Sequence, residues 1–344
     1  MIDADRSSDG GTATTRTSRS DGPGPAFMGE TSSPPRARFS GRAPRKPWTE
    51  AQRSTAAGYA FLTPWLLGFF GITLLPMLAS LVLSFTDFSG SFRNVEWIGL
   101  ANYRLMFTVD PAYWQAVRVT FAYVLISVPV MLAFALTVAT LLNKGIAMLG
   151  LYRTIFYIPS LLGTSVAVAV LWRFVWGETG LLNGVLSVVG IAGRSWIGHP
   201  DTALLTIMVL NVWTFGAPMI IFLAGLRQVP ADLYEAAALD GAGRRQRFWH
   251  ITLPSISPVV LFNGILSVIG GFQAFTQVYV VSGGDGGPAG STLFYTLLLY
   301  QRAFGELRFG YASAMAWVLL LVIAAATAAV FASGRFWVFY GDEK

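Results

Sequence analysis

The stretch EAAALDGAGRRQRFWHITLP, residues 235–254, packs Glu235, Asp240, Arg244, Arg245, Arg247 and His250 between two long runs, 202–226 and 255–282, that hold no acidic or basic side chain. Its local reading is clear. Pro230 suits the first turn of a helix, and ADLYEAAALD that follows is rich in Ala, Leu and Glu, which favour helix. Gly241 falls where a helix C-terminus wants a residue able to take positive φ. A second helical segment, about RRQRFWHIT, ends at Leu253-Pro254. The stretch therefore predicts helix, glycine turn, helix. Its small face of Ala236, Ala237 and Ala238 suits close packing into a groove, with Glu235 as an anchor for an opposing Arg or Lys. Composition alone leaves a second reading open, an amphipathic loop resting on lipid headgroups.

The flanking runs set the fold class. The chain has 344 residues, 54% hydrophobic and only 12% charged, with mean hydropathy +0.55. A soluble domain carries about 25% charged residues. About 20 apolar residues cross a bilayer core of roughly 30 Å, and six blocks are long enough: about 59–85, 119–142, 154–172, 202–226, 255–282 and 309–334. None contains Asp, Glu, Lys, Arg or His. Backbone amides in lipid need internal partners, and the blocks are continuously apolar rather than alternating, so helices are expected and a barrel is not. The expectation is an all-α polytopic membrane protein with six transmembrane helices in a domain over 57–344.

The net charge is +6 and the isoelectric point about 9.7, but the basic residues are dispersed around the spans. They report orientation and give no nucleic-acid surface. Arg42, Arg45, Lys46, Arg53, Lys144, Arg153, Arg227, Arg244, Arg245, Arg247 and Arg335 collect on one side. Arg93, Arg104, Arg118, Arg173, Arg194, Arg302 and Arg308 collect on the other. The bias places both termini and the loop 228–254 in the cytoplasm, and the loops 86–118, 173–201 and 283–308 outside. Trp97, Tyr103, Tyr113, Trp114, Trp172, Trp176 and Trp196 lie on or beside those outer loops, as interfacial aromatics do. With no cysteine, and His199 and His250 far apart, there is no disulfide, thiol or metal chemistry to expect.

Residues 1–56 form a separate regime of Ser, Thr, Gly, Pro and Arg, expected to be a disordered cytoplasmic tail. It lacks the early apolar core of a signal peptide. A partner-binding arm is the alternative reading. Prolines 64, 76, 129, 159, 218 and 258 fall in or beside spans, where packing kinks account for most of them. Gly270-Gly271 would permit close approach of a helix or a ligand.

Spacing adds a resemblance. Glu235-Ala236-Ala237, three residues, Gly241, nine residues, then Ile251-x-Leu253-Pro254 resembles the EAA loop of ATP-binding-cassette importer permeases, Asp240 lying within it. WIGLANYRLMF, residues 97–107, is similar to the hGLxNY segment after the first span of carbohydrate-importer permeases. FQAFTQVYVVSGGDGGP, residues 272–288, is similar to the F…hYVhTxGGP ending of the helix after that loop. The subunit type it resembles is that of the larger maltose permease and the first glycerol-phosphate permease subunit, over about residues 59–335. The maltose subunit's extra N-terminal spans and large outer domain have no counterpart here, nor has the tail a counterpart in the family.

The resemblance implies a type I importer fold of the bacterial inner membrane and a coupling helix that docks on a cytoplasmic ATPase. It implies a second, non-identical permease subunit, an ATPase dimer and an extracytoplasmic solute-binding lipoprotein. It implies that ATP and Mg bind the ATPase, leaving this chain no cofactor and no enzymatic activity. The sequence agrees in one respect. No G-x-x-x-x-G-K-[ST] phosphate loop occurs, and SGGDGG over 282–287 has no Lys. An ion-coupled secondary transporter is the alternative, but it usually needs intramembrane acidic or histidine relays, which the spans lack. A membrane enzyme would need paired carboxylates, a Ser/His arrangement or HExxH, none of which is found.

In the fifth block, helical spacing places Asn263, Ser267, Gly270, Gly271, Ala274 and Gln277 on one stripe, small or polar amid bulky apolar residues. Counting from the EAA loop, the maltose resemblance implies sugar contacts at Ser267, Gly270, Gly271 and Ala274. In the fourth block it implies Leu210, Trp213, Thr214 and Ala217. Sugars bind by hydroxyl hydrogen bonds and stacking on aromatic rings, so Trp213, Thr214, Ser267 and Gln273 stand out. Gly271 and Ala274 are less polar than the maltose pattern, which argues against maltose-like specificity. Helix–helix packing by small residues is the alternative reading of the stripe.

Overall fold

The computed structural model describes residues 50–91, 95–145 and 148–339. The expected tail lies outside them as far as residue 49. The chain divides between Leu62 and Thr63. Of the first unit only residues from Glu50 are described, the opening turns of a helix Glu50–Gly68. That helix starts ahead of the expected boundary at 57. Glu, Ala, Gln and Arg favour helix whether or not they are apolar, so low hydropathy there did not mean absence of structure.

Three straight helices are long and apolar enough to cross a membrane: Gly58–Leu83, Pro111–Leu142 and Phe309–Trp337. Three bent pairs each meet the same test together: Leu149–Leu162 with Val166–Val188 at 95°, Pro200–Trp213 with Gly216–Leu226 at 42°, and Arg244–Ser255 with Ser257–Phe272 at 65°. Counting each pair as one span gives six. Among the described residues the only β pairing is an isolated bridge, Thr86 to Trp97. The fold is all-α.

Three of the expected continuous helices are corrected, and the block 202–226 divides into Pro200–Trp213 and Gly216–Leu226. The block 154–172 is broken at Gly163-Thr164-Ser165, where Ser165 caps the second half by accepting from Val168 N at 3.3 Å. Its first half, Leu149–Leu162, is only about 20 Å long at 1.5 Å per residue, too short to cross alone. The block 255–282 stops at Phe272 and resumes as Thr276–Ser282. Proline explains other departures. A π-turn Phe69–Leu74 precedes Pro76, and another, Phe248–Thr252, precedes Pro254, each where a missing N–H disturbs the ladder.

The second span is the hub. It packs on both halves of the fourth and on the fifth, and it buries Tyr123, Val124, Val128, Met131 and Ala135. Gly271 lies against it, a Cβ there being 3.1 Å from Val124 Cγ2. Within the second unit, the first span from Thr63 on leaves Leu67 69% and Ile72 80% exposed, faces suited to lipid or another subunit. The GLANY segment has a structural task. Buried Asn102 donates from Nδ2 to the carbonyls of Ser84 (2.9 Å) and Thr86 (2.8 Å). Tyr103 OH meets Ser84 Oγ at 2.9 Å. Those carbonyls belong to the frayed end of the first span, whose last groups need partners. At the same end of the bundle, Arg302 Nη2 donates to both oxygens of Asp110 at 3.1 and 2.9 Å, and Tyr311 OH donates to Oδ2 at 2.9 Å. Asp110 is the N-cap of the second span and Tyr311 lies at the start of the sixth.

Candidate functional site

Two constellations carry the predicted residues. The first is the loop after the fourth span. Helix Ala231–Leu239 follows Pro230 and has Asp232 in its first turn, favourable to the helix dipole. It ends as the sequence requires: Ala242 N donates to Ala237 O at 2.9 Å and Gly241 N to Ala238 O at 3.1 Å. Gly241 has φ +78°. That 6→1 and 5→2 pair is a Schellman turn, and it explains the fixed glycine. A Cβ there meets nothing within 4 Å, so conformation, and not space, selects glycine.

The chain then reverses. Gly243 N donates to Gln246 Oε1 at 2.9 Å, opening the segment Arg244–Arg247 that the π-turn extends. Tyr234 OH meets Thr252 Oγ1 at 3.0 Å and ties the two helices together. Between them lies an open groove of about 460 Å³ lined by Ala237, Asp240, Gly241, Ala242, Gln246, Arg247, His250 and Ile251. Of the predicted coupling residues it gathers Ala237, Asp240, Gly241 and Ile251. Glu235 and Ala236 lie on the exposed side of the first helix, while Leu253 and Pro254 are partly buried at the foot of the fifth span. Beside Glu235 and Ala236, Leu239 is 90% exposed, an apolar side chain with no cover in this subunit. The sequence reading passed over Leu239 and Tyr234; the signal for Leu239 was an apolar residue inside a charged stretch.

The second constellation is where the helix breaks meet. Each break frees a carbonyl, and each carbonyl takes a side chain from another segment. Pro218 has no N–H for Thr214 O, four residues before it. Ser160 Oγ donates to that oxygen at 2.8 Å and accepts from Ala217 N at 2.9 Å. Gln277 Nε2 donates to Gly163 O at 3.0 Å. Thr296 Oγ1 donates to Ala274 O at 2.5 Å. Irregular backbone at membrane depth is tolerated where protein satisfies it in this way. Two glycines let the segments close. A Cβ on Gly163 would strike the Thr214 methyl, and one on Gly216 would strike Phe156 O and lie 2.8 Å from Tyr157 Cα.

Around these breaks Tyr123, Ile207, Leu210, Asn211, Thr214, Ala274, Gln277 and Val278 line a cavity of about 20 Å³, room for about one water and not for a sugar ring. It brings together Leu210, Thr214 and Ala274 of the predicted solute face. Gly270 and Gln273 are exposed, and Trp213 and Ser267 partly so. Because the fifth helix ends at Phe272, Ala274 and Gln277 leave the expected stripe and turn toward the fourth span. Gly271 is buried against Val124 and Val128. Asn263 is buried, and its Nδ2 has no partner among the described residues. Sequence reasoning missed Ser160, Asn211 and Tyr123. Pro218 was the available signal for Ser160, since it marks Thr214 O as a carbonyl in need of a donor.

Comparison with known proteins accords with this architecture. Residues 120–337 match the model of a family described as binding-protein-dependent transport system inner membrane component. The chain is 47% identical to the probable ABC transporter permease protein YesP of Bacillus subtilis, over 85% of this chain and 95% of that one. It is 34% identical to the lactose transport system permease protein LacF of Rhizobium radiobacter, over 78% of this chain and 90% of the other. To the arabinooligosaccharides transport system permease protein AraP of Bacillus subtilis it is 34% identical, over 78% and 85%. It shares its fold with a chain in the crystal structure of a bacterial ABC transporter involved in import of the acidic polysaccharide alginate. There the TM-score is 0.71 and the identity 21%, with 82% of this chain and 96% of that one covered.

Proposed function

From the premise that the chain belongs to the binding-protein-dependent transport system inner membrane components, as a multi-pass permease of the sugar ABC transporters, we propose that it forms half of an import pathway for a sugar or sugar-like solute. The pathway works by alternating access. The helix Ala231–Leu239 is its coupling element, facing the cytoplasm with both termini on that side. Glu235 offers a charge and Leu239 an apolar anchor to a cleft on a separate ATPase, which binds ATP and Mg. The Schellman turn at Gly241 fixes the angle between this helix and the segment Arg244–Arg247. The Tyr234–Thr252 contact and the partly buried Ile251, Leu253 and Pro254 carry any tilt of the helix into the fifth span.

The fifth span runs directly from this loop to the break at Gln273–Phe275, next to Ala274 and Gln277. A push on the loop reaches the junction of broken helices through the 65° bend between Ser255 and Ser257 and then along the helix Ser257–Phe272. The junction cavity is too small for a sugar in this subunit alone. The exposed Gly270 and Gln273 and the partly exposed Ser267 and Trp213 form an open face, which a second, non-identical permease subunit completes. A solute-binding protein delivers the solute from outside. The observation that carries the reading is an exposed helix with a conformationally specified turn, on the loop that leads into the fifth span. Its test is reconstitution of the chain with a second permease, the ATPase and the binding protein in vesicles. ATP-dependent accumulation of a labelled sugar is expected; accumulation driven by a proton or sodium gradient without ATP contradicts it.

A further inference from the structure

Beside the Asp110–Arg302–Tyr311 network lies a half-open cavity of about 320 Å³, which neither the loop nor the junction uses. Asp87, Phe88, Asn102, Leu105, Arg308 and Tyr311 are among its walls. It has room for about ten waters, the size of a small organic group rather than of one ion. Three segments build it. Residues 85–87 pair with 96–98, Asp87 N donating to Glu96 O at 3.2 Å and Ile98 N to Phe85 O at 2.9 Å. The sixth span starts against them: Gly310 N donates to Phe88 O at 2.9 Å, and a Cβ on Gly310 would strike Thr86 O. The helix Ala101–Thr108 supplies the third wall.

Opposite charges line this one space. Asp87 Oδ1 accepts from Glu96 N at 2.7 Å, which fixes the carboxylate. Both N–H bonds of Asn102 are spent on the carbonyls of Ser84 and Thr86, and its amide oxygen accepts nothing among the described residues. The Arg308 guanidinium lies 4.9 Å over the Tyr311 ring, and buried Tyr311 is itself pinned by Asp110. Arg308 is also the N-cap residue of the sixth span, the positive end of that helix, where a cation is disfavoured. Its one described ion pair is long, 3.8 Å to Glu306 Oε2, between side chains 43% and 41% exposed. Glu306 Oε1 and both oxygens of Asp110 are already taken by Arg302. An anion in the cavity would answer Arg308 and the helix end together.

Around this cavity the surface is that of a membrane interface. Trp97 and Leu100 are each 67% exposed and Leu307 is 53% exposed, with Trp97 stacked on Phe85 at 5.5 Å. Exposed Trp and Leu at the ends of spans mark the level of the headgroups. A cation and an anion in one apolar-walled cavity at that level suit a head that carries both charges a few bonds apart. We propose that the cavity binds the phosphoethanolamine head of an outer-leaflet phospholipid. Arg308 takes the phosphate, Asp87 and the Asn102 amide oxygen take the ammonium, and the acyl chains leave past Leu100 and Leu307. The lipid thereby joins the end of the first span to the start of the sixth. An anionic phosphoglycerol head offers Asp87 no positive charge and is disfavoured. The proposal rests on the outer placement of residues 86–118 and 283–308 and is independent of which solute is carried.

The test uses the assembled transporter, this chain with its second permease and ATPase, purified in detergent. Native mass spectrometry follows titration with dihexanoyl phosphatidylethanolamine, with dihexanoyl phosphatidylglycerol and with free phosphoethanolamine. The wild type should bind the ethanolamine lipid about fivefold more tightly than the glycerol lipid, the worth of one partly exposed charge pair. Asp87→Asn keeps an acceptor for Glu96 N, and it should abolish that preference by weakening the ethanolamine lipid alone. Arg308→Gln should raise Kd for both lipids about fivefold, whereas Arg308→Lys should stay within about twofold of wild type. Melting of each variant shows that the complex is intact. A structural role alone would not change which head is preferred. Equal affinity of the wild type for the two lipids, or an Asp87→Asn variant that weakens both equally, overturns the proposal. Free phosphoethanolamine binding as tightly as the lipid would make the ligand a soluble one and overturns it too. So does displacement of the lipid by the solute-binding protein, which would make the cavity a protein dock.

Discussion

The loop 228–254 and the junction of broken helices solve opposite problems with the same residue types. In the loop, Gly241 is needed for its backbone angle and has empty space around it; at the junction, Gly216 is needed because Phe156 O and Tyr157 Cα leave no space for a Cβ. The turn at Gly241 is held by backbone caps between neighbours in sequence. The junction is held by side chains that answer carbonyls far away, Gln277 and Gly163 being 114 residues apart and Ser160 and Thr214 54 apart. The difference implies that substitutions at the junction damage the fold of the subunit, whereas substitutions in the loop damage what the subunit does with its partners.

The largest effect is expected at Gly216. Alanine there must push back the main chain of Phe156–Tyr157, which costs about 3 kcal/mol, since overpacking against backbone relaxes poorly. The variant should insert at low yield and melt well below wild type in a detergent thermal-shift assay; a wild-type melting temperature would show that the junction is loose. Next comes Ser160→Ala. It strands the Thr214 carbonyl and removes the acceptor of Ala217 N–H, a loss of about 2 kcal/mol for buried groups left unpaired. The same assay reads it, and Ser160→Thr should recover most of the loss. Smaller still is Gly241→Ala. With φ at +78° and open space around it, only the left-handed conformation is penalised, by about 1 kcal/mol. Its melting temperature should barely move while sugar-stimulated ATP hydrolysis falls. If melting and hydrolysis fall together, the two regions are not separable as argued.

These two regions also differ in how far they could be read from sequence. The loop was legible because all its determinants are contiguous: a proline start, an alanine-rich helix, a glycine five residues after the alanines begin at Ala236, and a second helix ending at Leu253-Pro254. The span count was legible from charge-free blocks, but the breaks within them were not. No charged residue marks Gly163-Thr164-Ser165 or Gln273–Phe275, and the few polar residues there are short interruptions in otherwise apolar blocks. What breaks the helices is a set of pairings between segments, with Ser165 as a local cap and Gln277 as a distant donor. Pro218 is the exception, a local mark of the Thr214 kink. The stripe on the fifth block failed at Ala274 for the same reason: periodicity was extrapolated through a break that only the partner segments specify. Early helix formation at Glu50 was missed because apolar content was taken as the measure of order.

The central claim is that Glu235 on the helix Ala231–Leu239 serves a partner and not the fold. Glu235 is exposed and forms no hydrogen bond or ion pair among the described contacts, so Glu235→Lys should change subunit stability by no more than about 0.5 kcal/mol. The direct measurement is made on the assembled transporter in vesicles: ATP hydrolysis with and without the sugar-loaded binding protein, beside the amount of ATPase that co-purifies. The account predicts a variant that melts like wild type, retains less ATPase and loses stimulation by the loaded binding protein. A Glu235→Lys transporter with wild-type retention and wild-type stimulation would contradict it.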